Sequence, residues 1–417
     1  MRRIVLLVAA SWLVLAAPAP AQTSDAQYAD LKKELDSLKR EVDALKSSPA
    51  GESAEKNLEW GGFGEMTYQN FSGRRQNGDQ ASLRDTADLA RVSLDGVYHF
   101  SETIRAKFEL EALHAGIFSN NNKGTFDVEQ AWVEDKLMPQ FALRGGLVVV
   151  PLGLVNERHR PDDFYGVFRP SVEQFIVPST WREMGAGFLG DVGPVSYRTY
   201  ALTGLSAAAN TAQSSKGFLG STGLKDGRTL GATSYAQSGA WAGRVDYNFM
   251  KDSFFGAALY EGQAGQGLTK SQVPVGLWEA HLKAKWRGAE LRALYAAGTL
   301  GDAYNVDSAQ AAATTGFKDF AGQRFFGAYV EAGYDVLSSW AGRKDSLVPF
   351  IRFERYDTAD RVPSGFAPNP ATSRVEYTAG LDYRPVPRVV VKSEYQWLRN
   401  GARTGVDEWN LGLGFDF

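Results

Sequence analysis

The chain has no cysteine. That excludes a disulfide scaffold and any thiolate-held zinc or iron–sulfur site. Histidine is scarce as well: His99, His114, His159 and His281 are the full set, and they are scattered. Neither sign of charge is in excess. There are 45 Lys and Arg against 48 Asp and Glu, a net of −3, whereas a nucleic-acid binder would show a basic surplus. Long apolar runs are also missing. A membrane helix takes roughly 18 or more consecutive apolar residues, and a mean hydropathy of −0.28 leaves no room for several. What the chain does have is 44% hydrophobic residues, 44 Gly, 24 Phe, 17 Tyr and 10 Trp in 417 positions. Length alone would suggest roughly two or three soluble domains. Many apolar residues with low mean hydropathy instead suit a chain whose apolar residues sit at every second position.

The first 21 residues read as a secretory signal peptide. Arg2 and Arg3 supply the positive start, Ile4–Ala17 an apolar stretch too short to span a bilayer, and Ala19-Pro20-Ala21 the small-residue cleavage site. Residues 22–47 are expected to hold a helix. Tyr28, Leu31, Leu35, Leu38, Val42 and Leu45 recur at alternating spacings of three and four, the core positions of a coiled coil. Glu34 to Lys39 and Glu41 to Lys46 are complementary between parallel helices. About three heptads are marginal alone, so such a coil needs something else to hold the chains together. Residues 48–57 are a polar linker.

From residue 58 to 417 the dominant period is two. In "IRAKFELEA", Ile104, Ala106, Phe108, Leu110 and Ala112 share one face, and Arg105, Lys107, Glu109 and Glu111 the other. "WEAHLKAKWR" and "VEYTAGLDYR" do the same. A soluble sandwich also alternates, but two further features point to an outer-membrane barrel. Connections are alternately short (near 101–102, 191–194, 287–289) and long (near 151–182, 205–238, 299–323). Strands approaching the short turns end in aromatics on the apolar face: Tyr98/Phe100, Tyr247/Phe249, Trp286, Tyr334, Tyr383 and Phe415/Phe417, as at a lipid–water interface. The expected fold is an all-β transmembrane antiparallel barrel of about 16 strands, from 58–71 to 406–417. An even number puts both barrel ends on the short-turn side, and so places the helix in the periplasm.

Such a barrel encloses an aqueous lumen. The inward set is charged with both signs. Arg91, Arg105, Lys107, Arg244, Lys283, Lys285, Arg292, Arg352, Arg374 and Lys392 alternate with Asp95, Glu109, Glu111, Asp246, Glu279, Glu331, Glu354, Glu376, Glu394 and Glu408. For any one of these a wall salt bridge between strands is the expected role. Residues 151–183 differ. They do not alternate, they contain four prolines and they are dense in charge. A loop this long in a compact body is usually functional. It is expected to fold into the lumen. Arg158, Arg160, Arg169 and Arg182 would line the basic side of a constriction, with Glu157, Asp162 and Asp163 opposite.

The block "ALRGGLVVVPLGLVNERHRPDDFYGVFRPSVEQFIVPSTWREMGAG", with "GRVDYNF", "FIRFERYDT" and the terminal strand, resembles the phosphate-selective porin O/P-like family. The resemblance covers most of 58–417. It implies a homotrimeric, 16-stranded outer-membrane porin passing small anionic solutes. The final strand ending at Phe417 resembles the signal read by the bacterial barrel-insertion machinery. Phosphate-specific members carry an arginine ladder and a lysine cluster, whereas acidic wall residues here are as numerous as basic ones. A non-selective or dicarboxylate-preferring porin is therefore the neighbouring alternative.

Other classes fit less well. Gly185–Gly190 matches G-x-G-x-x-G but is followed by a turn and a strand, not the helix a dinucleotide site needs. A barrel enzyme would show a Ser/His/acid set at the outer rim, and the sequence offers none. An adhesin would concentrate aromatics in its long loops, yet 205–238 and 299–323 are rich in Ala, Ser, Thr and Gly. His159 with Asp162 and Asp163 is a weak cation motif. No metal, cofactor or nucleic acid is expected.

Overall fold

The structure, a computed structural model, describes residues 57–116, 124–209, 216–313, 316–340 and 342–417, with a few helical positions between 32 and 40. The expected signal peptide and linker (Asn57 aside), and every heptad position but Leu35, lie outside the described residues. Leu35 is helical and exposed.

Sixteen strands follow one another in chain order. They are β1 (Leu58–Arg75), β2 (Thr86–His99), β3 (Ile104–Leu113), β4 (Thr125–Met138), β5 (Phe141–Val149), β6 (Arg182–Val192), β7 (Val195–Thr203) and β8 (Gly239–Met250). Then come β9 (Ser253–Gln263), β10 (Pro274–Trp286), β11 (Ala289–Leu300), β12 (Arg324–Tyr334), β13 (Ser346–Arg361), β14 (Ser373–Val386), β15 (Val389–Asn400) and β16 (Val406–Asp416). Each pairs with its sequence neighbours, and β16 pairs antiparallel with β1, Phe63 opposite Asp416 through Asn70 opposite Trp409. The sheet closes, so no edge is left unpaired. The expected strand count holds. The first strand runs past its expected end on the long-loop side, to Arg75 and not 71. Gly73, Arg74 and Arg75 are all exposed there, and alternation no longer marks the strand.

The outward face is apolar. Exposed Phe100, Phe249, Trp286, Tyr334 and Phe417 ring the short-turn end. A second ring, not apparent in the sequence, lies toward the long-loop ends and includes Trp241, Trp278, Tyr377, Trp397 and Trp409. Two aromatic girdles flanking an apolar band are what a bilayer selects.

Inside, the expected charged wall does not extend all the way round. Inward positions in the long-loop half of β7–β12 turn apolar, among them Leu202, Tyr260, Leu277, Leu294, Phe325 and Tyr329. Two long loops fill the space they surround. Loop L3 (150–181) brings Val172, Ile176 and Trp181, and loop L4 (204–238) brings Leu205, Phe218 and Leu224 into one buried cluster. Trp181 packs on Tyr260 with ring centroids 4.6 Å apart. Each such fully buried side chain contributes about 1.5–3 kcal/mol. The wall makes room where it must. Gly327 faces α1 (Ser171–Phe175), the short helix of L3, and a Cβ there would stand 2.9 Å from both Val172 and Ile176. Gly414 likewise receives Pro161, at 2.5 Å from an added Cβ.

Candidate pore constriction

A loop inside a barrel loses its water, so its backbone N–H and C=O groups need partners. Here the charged wall supplies them. Near the start of L3, Gly153 donates its N–H to Glu279 at 3.4 Å, and its carbonyl accepts from Arg244. Arg91 donates to His159 O at 2.9 Å, Arg384 to Asp162 O at 2.8 Å and Arg292 to Asp163 O at 2.8 Å. Lys392 Nζ donates to Phe164 O and Gly166 O at 2.6 and 2.8 Å. Glu394 accepts the N–H groups of Val167 and Phe168, and Glu354 that of Val172 at 2.9 Å. Within the loop, Glu173 accepts from Val155 N at 2.7 Å and from Tyr329 Oη at 2.6 Å. Burial pushes its carboxyl above the ordinary carboxylate range, the two donors pulling the other way.

The wall residues named from sequence are mostly engaged with one another. Arg91 pairs with Glu65 at 2.7 Å and Glu111 at 3.5 Å, Arg105 with Glu134 at 2.6 Å, and Lys107 with Glu109 at 3.4 Å. Arg244 meets Asp246 at 2.9 Å, Lys283 meets Glu290 at 3.7 Å, and Arg352 meets Glu354 and Glu331 at 2.7 and 3.1 Å. Lys285 has no ion pair among the described residues.

The seven expected constriction residues do not form one basic face opposite one acidic face. Arg182 is buried against Glu129 (2.6 Å) and Asp127 (3.3 Å). Arg160 reaches Asp95 at 3.1 Å. Glu157 pairs with Arg198 at 3.1 Å. Asp163 accepts from the Arg160 N–H at 3.1 Å, and Asp162 is tied to the wall through its carbonyl. Arg158 is exposed. His159 turns toward Glu109, 3.3 Å away. Among the described residues no cluster of His, Asp or Glu could hold a metal ion.

Arg169 stands apart. Its Nη1 donates to Thr180 Oγ1 at 2.8 Å, and it has no carboxylate partner among the described residues. Burial, then the neighbouring Arg91, pushes its guanidinium down to about 10. Two cavities meet at it. One of about 350 Å³ lies against β13–β16, and one of about 260 Å³ against β1–β3. Phe168, Arg169 and Gln174 line both. The open part of the lumen is therefore the sector opposite the apolar cluster. Phe168 and Gln174 were not among the expected site residues. The signal that could have placed the loop was the run of glycines at inward positions of β12 and β16.

A closed sixteen-stranded antiparallel barrel with its third long loop folded inside has the fold of the outer-membrane porins. Solved structures match it over nearly the whole barrel. An anion-selective porin from Comamonas acidovorans matches with a TM-score of 0.52 and 12% identity, covering 86% of this chain and 99% of that one. Salmonella typhi OmpF, solved in complex with daunomycin, gives 0.55 and 12%, covering 87% and 98%. The trimer form of Vibrio cholerae OmpT, an outer membrane protein, gives 0.50 and 11%, covering 86% and 99%. No family model matches the chain. In sequence it is 31% identical over 343 residues to an uncharacterized protein of Aquifex aeolicus (strain VF5), covering 82% of this chain and 75% of that one, and it belongs to the same family as that protein.

Proposed function

We propose that the protein is an outer-membrane porin that passes small hydrophilic solutes by passive diffusion and prefers anions. The observation that carries this reading is Arg169, a half-buried guanidinium without a carboxylate partner where two cavities meet inside a closed barrel. A cation in a narrow, low-dielectric passage concentrates anions and repels cations. L4 adds Lys225 and Arg228 nearby. Both are held below their ordinary range by burial, and Arg169 contributes to the lowering at Lys225. The resemblance of 143–187 to the phosphate-selective porin O/P-like family and the anion-selective fold neighbour point the same way. The chemistry is binding and exclusion alone, so neither cofactor nor catalytic residue is invoked.

The exported chain is proposed to assemble as a homotrimer in the bacterial outer membrane, with the 22–47 helix forming a coiled coil in the periplasm. A trimeric fold neighbour supports this, as does the heptad spacing itself. Planar-bilayer reversal potentials in a KCl gradient test the selectivity. Anion preference is expected, and Arg169→Glu should abolish or reverse it. Cation preference in the unaltered protein would sink the claim.

A further inference from the structure

Over much of the wall, opposite charges meet directly, as in Arg91–Glu65, Arg244–Asp246 and Arg352–Glu354, or, as at Lys392 and Glu394, they hold the backbone of L3. The larger cavity beside Arg169 is an exception. It holds about 350 Å³ between L3 and the long-loop ends of β13–β16. Apart from Arg399, which is neutralised by its ion pair with Asp407, two cations line it, Arg169 and Arg374, and two carboxylates, Glu376 and Glu408. None of the four has an opposite charge within 4.0 Å among the described residues. Neutral groups hold each of them instead. Arg374 donates to Ala371 O at 3.1 Å and Ser221 O at 3.0 Å, and lies over Phe175 and Tyr356 with centroids 5.1 and 5.4 Å away. Glu376 accepts from Tyr356 Oη at 2.6 Å, and Glu408 from Asn410 Nδ2 at 3.0 Å. Both carboxylates are more than nine-tenths buried. Among the described residues, the Arg169 guanidinium donates through Nη1 alone.

Charges taken out of water without partners are costly. Two of each sign, kept apart around one small cavity, are satisfied together by a guest that itself carries both signs. A simple anion would face two carboxylates as well as the guanidiniums. A simple cation would face the reverse. Phe168, Phe175 and Leu398 add an apolar surface to the same cavity. We propose that this cavity is a binding subsite for small zwitterions of the α-amino-acid type. The carboxylate is taken by Arg169 and Arg374, the ammonium by Glu376 and Glu408, and the side chain lies against the aromatic rings. The volume falls in the range of ordinary small-ligand pockets. The site deepens the porin reading and rests on it, since it makes passage of one solute class saturable.

The test is calorimetric titration of the full-length protein, folded in detergent, with L-leucine, N-acetyl-L-leucine and L-leucinamide. KCl conductance is measured on the same preparation. Leucine should bind, and each capped form should bind at least about tenfold more weakly, because each leaves one charge pair unanswered. Arg169→Gln and, separately, Glu376→Gln should each weaken leucine by a similar factor while the protein keeps its heat-modifiable gel migration. N-acetyl-leucine binding as well as leucine would reduce the site to an anion site and overturn the proposal. So would leucinamide binding as well as leucine, or no leucine binding. Absent KCl conductance would count against the porin reading alone, since titration does not depend on conduction.

Discussion

The two sides of the barrel interior are built on opposite principles. On the long-loop half of β7–β12, inward side chains are apolar, and L3 and L4 pack onto them as onto a protein core. Across the lumen, against β1–β3 and β13–β16, charged and polar side chains face two cavities that meet at Phe168, Arg169 and Gln174. The first sector spends apolar area to hold a loop still. The second uses that fixed loop as one wall of a passage. A loop tethered only by exposed ion pairs would gain little, since each is worth about 0–1 kcal/mol. Packing on one side is what makes a defined opening on the other possible.

The sharpest way to break this contrast is Ile176→Asp. An unpaired charge in the apolar cluster should cost about 3–5 kcal/mol and release L3 from the wall. Single-channel conductance should rise severalfold while the barrel still migrates as folded. An unchanged conductance would mean that the cluster does not set the opening. Next is Tyr329→Phe, which leaves Glu173 without one donor and should cost about 1–3 kcal/mol. Limited proteolysis within L3 would report it. Phe168→Ala, on the open side, should cost about 1 kcal/mol or less, yet widen the passage and raise conductance measurably. The pair Tyr329→Phe and Phe168→Ala thus separates stability from conduction.

The smallest effect concerns the connection between β11 and β12. In loop L6 (301–323, between β11 and β12), α2 (Ala303–Ala313) carries Asp307, which accepts the Ala321 N–H at 2.7 Å. Burial pushes its carboxyl up to about 7. A raised carboxyl favours the folded state while protonated, so its contribution is complete below the ordinary carboxylate range and is lost as pH rises through about 7. Protease cleavage in L6 should therefore be modestly faster at pH 8 than at pH 5, and Asp307→Asn should flatten the difference.

The barrel was legible because a period of two survives wherever one face meets lipid and the other water. Ala106, Phe108 and Leu110 against Lys107 and Glu109 show it directly. The even strand count followed from the number of alternating segments, and 151–183 was legible as a long loop because it does not alternate. The filled sector was not legible. Leu277 and Tyr260 face inward, but an inward apolar residue and an outward one look alike unless the register is known. For the same reason the loop's arginines were expected to act as a set. Arg182 and Arg160 are consumed by Glu129 and Asp95, partners on distant strands that local spacing cannot predict. Of the other two, Arg158 is exposed, and Arg169 is half-buried with no carboxylate partner among the described residues.

Gly414 receives Pro161, and Lys392 and Glu394 hold 164–168, so L3, which lies in the first half of the chain, is fastened by the last two strands. Part of the loop's seat is thus more than 200 residues away along the chain, so residues 161–168 gain these partners only when β15 and β16 have joined the sheet.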